Sequence, residues 1–221
     1  MRRNALMNRI IILCAAALAV SLAACHWARL RGNGQITTDQ RTIAAFSEIE
    51  AHGAFQIEWR SGAPALSVTT DENLLHYIEN QNIGSRLQLR SHESLWPTHG
   101  INVVVSSPTL VGAKLTGATR LIANQITGEK FAVESTGAAT VTLDGAVDTL
   151  LADMTGASRL KAASLRAKTA EVSTTGAADA DITVIDTLKV SITGAGKVNY
   201  WGNPPTIEKH VTGAGSIHHR E

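Results

Sequence analysis

Cysteine is nearly missing from this chain. Its 221 residues contain two, Cys14 and Cys25, so everything after residue 25 can form neither a disulfide nor a Cys-based zinc site. Aromatic residues make up only 4% of the sequence, so each one is worth locating. Lys and Arg number 20 against 19 Asp and Glu. Without a basic excess there is nothing to grip a phosphate backbone, which argues against nucleic-acid binding. No stretch rich in Gly, Pro or Ser separates one half from the other, which predicts a single folded domain. No Gly-x-Ser-x-Gly elbow is present.

The first residues are different in kind from the rest. "MRRNALMNR" carries Arg2, Arg3 and Arg9 with no acid, and an apolar run from Ile10 to Val20 follows. A short apolar run behind positive charge and ahead of small residues reads as a secretory signal over residues 1–24. It falls short of the roughly 20 apolar residues that a membrane-spanning helix needs. Leu22-Ala23-Ala24-Cys25 resembles the lipobox of bacterial lipoproteins. That resemblance implies cleavage before Cys25 and lipidation of Cys25, giving a membrane partner through a lipid anchor. His26, not Asp, follows, which points to the outer membrane of the cell envelope. Removing three arginines leaves 17 bases against 19 acids, a formal charge of −2. Residues 25–34 then read as a tether, and 35–221 as the folded domain.

What the chain has in abundance is Thr-Gly-Ala. The six glycines, Gly117, Gly137, Gly156, Gly176, Gly194 and Gly213, stand 20, 19, 20, 18 and 19 residues apart. A fixed period near 20 predicts a solenoid. Four residues after each glycine the position is always apolar: Leu121, Val141, Leu160, Ala180, Val198 and Ile217. Polar residues alternate with them, the mark of a strand with one buried face. Each copy therefore reads as a coil of a parallel β-helix in an all-β chain, six coils of about 19 residues making a rod of about 25–30 Å. Glycine suits a corner of positive φ or close coil-to-coil approach. The threonines before it should stack as a ladder, and the small residues after Gly-Ala should fit a tight inner corner.

Before the repeat lie further strand-like segments and one short helical stretch, "DENLLHYIEN", with Asp71 as its expected N-cap. These should begin and cap the solenoid. Taken together, "GQITTDQRTIAAFSEIEAHGAFQIEWRSG", "TTDENLLHYIE", "LQLRS", "INVVVSSPTLVGAKLTGA" and the Gly-Ala coils resemble the "putative auto-transporter adhesin, head GIN domain" family over roughly residues 34–218. The resemblance implies a right-handed parallel β-helix in envelope-associated bacterial proteins, many of them lipoproteins, and brings no catalytic motif.

Candidate chemistry is sparse. Asp179 and Asp181 project from one strand, flanked in neighbouring coils by Arg159, Lys161 and Lys197. Two carboxylates roughly 7 Å apart could flank a glycosidic bond, but charges stacked across coils read more simply as a solvated ladder. His210, His218 and His219 lack a carboxylate or cysteine at ligand spacing, so no metal is expected. "GAGK" at 194–197 has Val198 where a phosphate loop needs Ser or Thr. Trp96, Tyr200 and Trp201 lie in loop-like sequence, where they could bind a sugar or peptide, and Trp201 could instead cover the open end of the last coils. The expectation is a non-catalytic, exported binding or scaffolding module for a polysaccharide or surface protein. It would use Arg159, Lys161, Asp179, Asp181, Lys197 and Trp201 as its candidate surface, with no cofactor. A β-helical polysaccharide-processing enzyme and a self-associating structural protein are the alternatives.

Overall fold

Why Thr-Gly-Ala must recur is visible in the backbone. In the computed structural model, which describes residues 29–221, each corner glycine has a positive φ, from +103° at Gly117 to +119° at Gly194. A Cβ on Gly156 would lie 2.5 Å from the carbonyl oxygen of Gly137 in the coil below, and one on Gly194 only 2.4 Å from that of Gly176. The same carbonyl accepts the amide of the next coil's alanine, Ala157 to Gly137 and Ala195 to Gly176, at 2.8 and 2.7 Å. One corner thus needs a left-handed backbone and a bare Cα together, and only glycine supplies both.

The strands in chain order are β1 (Leu30–Arg31), β2 (Ile36–Arg41), β3 (Glu48–Gly53), β4 (Phe55–Ser61), β5 (Ala65–Asp71), β6 (Ile78–Ile83), β7 (Arg86–Ser91), β8 (Leu95–Trp96) and β9 (Ile101–Ser107). The repeat follows as β10 (Gly112–Gly117), β11 (Arg120–Gly137), β12 (Thr140–Gly156), β13 (Arg159–Gly176), β14 (Asp179–Gly194), β15 (Lys197–Trp201), β16 (Thr206–Gly213) and β17 (Ser216–His219). They stack in parallel as a β-solenoid of about five turns. Six corners enclose five intervals, so the expected six coils become about five turns. We call the sheet face that leads into the corners the pre-corner face: β3, β10, the later parts of β11 to β14, and β16. The post-corner face runs from β9 and β4 through the starts of β11 to β14 to β15 and β17.

The period varies between 18 and 20 for a reason. The corners hold register, with Gly117, Gly137, Gly156, Gly176 and Gly194 paired in series. The register shifts fall at the other bend, between Ala123 and Ile126, Thr142 and Asp144, and Ala162 and Arg166. Length changes are absorbed at this bend, although it too has a close approach, since a Cβ on Gly145 (φ +132°) would collide with the Ile126 carbonyl in the coil below.

Inward residues of both faces form one continuous core that includes Leu115, Leu121, Phe131, Leu160, Ile182 and Ile192. Burying such side chains is worth about 25 cal/mol per Å² of apolar surface. The small residues after Gly-Ala are buried from Thr119 to Gly196, and two use their hydroxyls at the corner: Thr119 donates to the Gly53 carbonyl at 3.1 Å and Ser158 to that of Gly137 at 3.4 Å. The Thr column, Thr116 to Thr212, is aligned as expected.

Gly53 itself is an unforeseen seventh corner. It pairs with Gly117, has a φ of +138° and is followed by Ala54. Between β4 and β9 the chain leaves the solenoid to build the cap at its N-terminal end. There β7 extends the pre-corner face and pairs antiparallel with β6, while β9 pairs antiparallel with β5, and β5 with β2. The short helix is a 3-10 segment, Glu72–Tyr77, with Leu74 fully buried.

Asp71 corrects one expectation. It occupies the N-cap position but makes no side-chain cap bond. Its buried carboxylate accepts the Thr98 amide and hydroxyl and the Gly34 amide, each at 2.8 Å. These bonds tie the segment at 30–35 to the loop at 95–100. Here β1 pairs with β8, and Gly32 donates its amide to the Trp96 carbonyl at 3.0 Å. The later half of the stretch read as a tether is therefore docked on the domain, because its amides find partners there.

A Gly156→Ala variant should lose at least about 1–3 kcal/mol of stability, from strain at positive φ and the contact with Gly137. Gly62→Ala, with no neighbour nearer than 3.8 Å to the added Cβ, should unfold at nearly the native temperature; thermal denaturation of both compares them. Burial opposes ionisation of Asp71, but the Thr98 and Gly34 bonds outweigh it and hold its pKa below the ordinary 3.8. Its contribution is therefore fully present above pH 3.8 and lost as pH falls through the lower folded value. Asp71→Asn should cost about 1–3 kcal/mol at neutral pH and flatten the stability profile below pH 4, as read by urea denaturation across pH.

Candidate functional site

Solvated side chains on a solenoid are placed in columns by the same pairing that builds the core. On the post-corner face Arg159 pairs in register with Asp179 and Asp179 with Lys197, while Lys161 pairs with Asp181 and Asp181 with Asn199. The structure thus gathers five of the six candidate surface residues into two adjacent columns. Arg159 reaches Asp179 at 3.0 Å, and the Asn199 amide donates to Asp181 at 2.7 Å. Each carboxylate already has a partner on the sheet, and the Asp179 side chain remains 38% exposed. Nothing there encloses a substrate or excludes water, as carboxylates that process a glycosidic bond require. The geometry is that of a charged, hydrogen-bonded face.

Trp201 ends β15, paired with Thr183 and half-buried on the outside of the coil. It does not cover the end of the solenoid, because β16 and β17 form one further coil beyond it. That last coil carries its own device. Lys209 pairs with Val190 at an inward position and His219 with Tyr200. The Lys209 ammonium stands 5.3 Å from the centre of the Tyr200 ring, and the His219 ring stacks on it at 4.9 Å. Ile207 and Val211, also at inward positions, are left about 40% exposed. Polar residues at core positions are a recognised way to blunt an open sheet end.

The three C-terminal histidines separate. His210 lies on the outer pre-corner face, His218 on the outer post-corner face, and His219 over Tyr200. Among the described residues no group of three or more His, Cys, Asp or Glu is gathered as a metal site. Cys25 lies outside the described residues.

Two features of the pre-corner face were not anticipated. An open groove of ≈ 530 Å³ runs along its C-terminal part, lined by Glu171, Lys189, Ser191, Glu208, Lys209 and His210. Glu171, Lys189 and Glu208 pair in series there, with Lys189 to Glu208 at 3.6 Å. The alternating charges stand in the sequence five residues before Gly176, Gly194 and Gly213. At the other end Glu50 is nearly buried between His52, at 2.7 Å, and Arg86, at 3.2 Å. Burial opposes its ionisation, but those two partners outweigh it and hold its carboxyl below the ordinary range.

The class these observations define is a β-solenoid with in-register polar columns, a capped end and shallow, open grooves. Residues 45–204 match the family model described as "putative auto-transporter adhesin, head GIN domain", and the chain belongs to that family. No curated protein matches the sequence significantly. Among solved structures, a "putative adhesin" from Bacteroides fragilis is 18% identical with a TM-score of 0.72, covering 86% of this chain and 100% of its own. Another from Parabacteroides merdae is 19% identical with a TM-score of 0.57, over 88% and 100%. A "putative lipid binding protein" from Parabacteroides distasonis is 21% identical with a TM-score of 0.53, over 87% and 100%. At these identities the likeness establishes the fold. The family indicates a surface or envelope protein, and among the described residues no helix is long and apolar enough to cross a membrane.

An Asp179→Ala, Asp181→Ala double variant should keep its unfolding free energy within about 1 kcal/mol of native, because solvated ion pairs on a sheet contribute little. Chemical denaturation measures it directly.

Proposed function

We propose that this chain is a non-catalytic envelope lipoprotein, lipidated at Cys25 and held in the outer membrane, that binds a polysaccharide or surface protein along its solenoid faces. The observation that carries the reading is the register. Arg159, Asp179 and Lys197 on one column, and Lys161, Asp181 and Asn199 on the next, repeat at the coil spacing of about 4.8 Å. An extended partner with its own repeat can meet such an array at many points, each contact weak and their sum giving avidity. The exposed Thr column, Thr136 to Thr212, adds hydroxyls at the same spacing on the other side of the corner. The leader-like first 24 residues and Leu22-Ala23-Ala24-Cys25 support export and anchoring. Lys209 and His219 at inward positions of the last coil weigh against end-to-end stacking through that end.

Binding and turnover measured together on one panel of bacterial and host polysaccharides test the proposal, with the double aspartate variant alongside. Retention of particular glycans without release of fragments is the expected result. Fragments that appear with the native chain and vanish with the double variant would make the protein an enzyme and overturn the reading.

A further inference from the structure

The N-terminal cap carries a surface that neither the fold nor the polar columns account for. Trp96 in β8 is 50% exposed, and Arg29 lies over its ring at 5.6 Å. Arg31 pairs with Trp96 across the short sheet, and Ile36, 44% exposed, opens β2 beside Asp71. The backbone bonds of β1 and the three bonds to Asp71 hold this group as a rigid part of the domain.

Where that surface lies relative to Cys25 is fixed by chain length. Four residues separate Cys25 from Leu30, the first residue of β1. At no more than about 3.6 Å per residue, the reach from Cys25 to Leu30 is at most about 18 Å. The solenoid from Gly53 to Gly213 is longer, at roughly 30 Å for six coil steps.

We propose that the Arg29, Arg31, Trp96 and Ile36 surface rests in the phospholipid headgroup layer of the membrane that holds Cys25, so that the solenoid stands on its N-terminal cap. This rests on the lipid-anchored reading above. A lipidated Cys25 puts its acyl chains into the bilayer, and the docked β1 then keeps the cap within one short reach of the headgroups. Tryptophan with one apolar face and a polar edge favours that interface, and Arg beside it can meet phosphate. Glu72 and Glu93 are exposed nearby, so the surface is no basic patch. Its fit is that of an amphipathic aromatic held close to the membrane, with charge secondary. The last coil and both polar faces are then carried away from the bilayer.

The full chain, produced with its leader in a lipoprotein-processing bacterium, is reconstituted into vesicles of phosphatidylethanolamine and phosphatidylglycerol brominated near the headgroup end of the acyl chains. A Trp27→Phe background removes the tryptophan adjoining Cys25. In that background tryptophan fluorescence should be quenched by the brominated lipid, and adding Trp96→Phe should abolish the quenching. Equal emission losses with and without Trp96, in protein that floats with the vesicles, would show the cap standing off the bilayer and overturn the inference while leaving the anchor intact. Failure to float, with no acyl mass on the peptide that begins at Cys25, would overturn both.

Discussion

Everything in this molecule depends on how closely one coil can lie on the next at a single corner. The carbonyls of Gly53, Gly117, Gly137, Gly156 and Gly176 each accept the alanine amide of the following coil and also occupy the space a side chain would need there. That contact fixes register, and register decides the rest. It lines up Leu121, Val141, Leu160, Ala180 and Val198 in the core, and it also lines up Arg159, Asp179 and Lys197 in solvent. A slip of one residue would exchange the two sets. Core stability and the polar surface are therefore one constraint seen from opposite sides of the sheet.

Differences in coil length are confined to the second bend. Ala123 to Ile126, Thr142 to Asp144 and Ala162 to Arg166 take up the length differences, and the loop Gly202 to Pro205 replaces that bend near the end. Coils can gain or lose a residue there without disturbing either polar column. Such an architecture can alter one outward position at a time, with each substitution isolated from the core by the alternation of the strand.

The repeat made the solenoid legible in the sequence, because glycine, alanine and the alternating apolar positions recur with little noise. The columns around Asp179 and Asp181 followed from the same alignment. Gly53 was missed because an excursion of more than sixty residues separates it from Gly117, and its corner reads His-Gly-Ala where the others read Thr-Gly-Ala. The docking of β1 could not be read at all. Its two-residue pairing with β8 and the three bonds to Asp71 are long-range contacts between short, aperiodic segments, and periodicity says nothing about such pairs. Asp71 looked like a helix cap because an acid before a helical turn is the local signature, yet its oxygens serve distant donors. Lys209 and His219 stand in columns that hold apolar residues in the coils below, Val190 and Tyr200, and that departure was the available signal for the end of the solenoid.

The two ends differ in how they close. At the C-terminal end polar side chains enter core positions above Tyr200, which protects the edge cheaply and leaves Ile207 and Val211 partly open. At the N-terminal end the chain invests antiparallel strands, a 3-10 turn and a buried, ionised aspartate. A cap meant only to stop strand addition would need no more than the first solution. The extra structure fixes the position of the chain's entry into the domain, and it does so through bonds that a swinging tether would lack. Under the proposed attachment at Cys25, rigidity at the point of entry would convert a flexible attachment into a directed one. The parallel stack then carries that direction along its length, since successive coils are locked to one another at every corner.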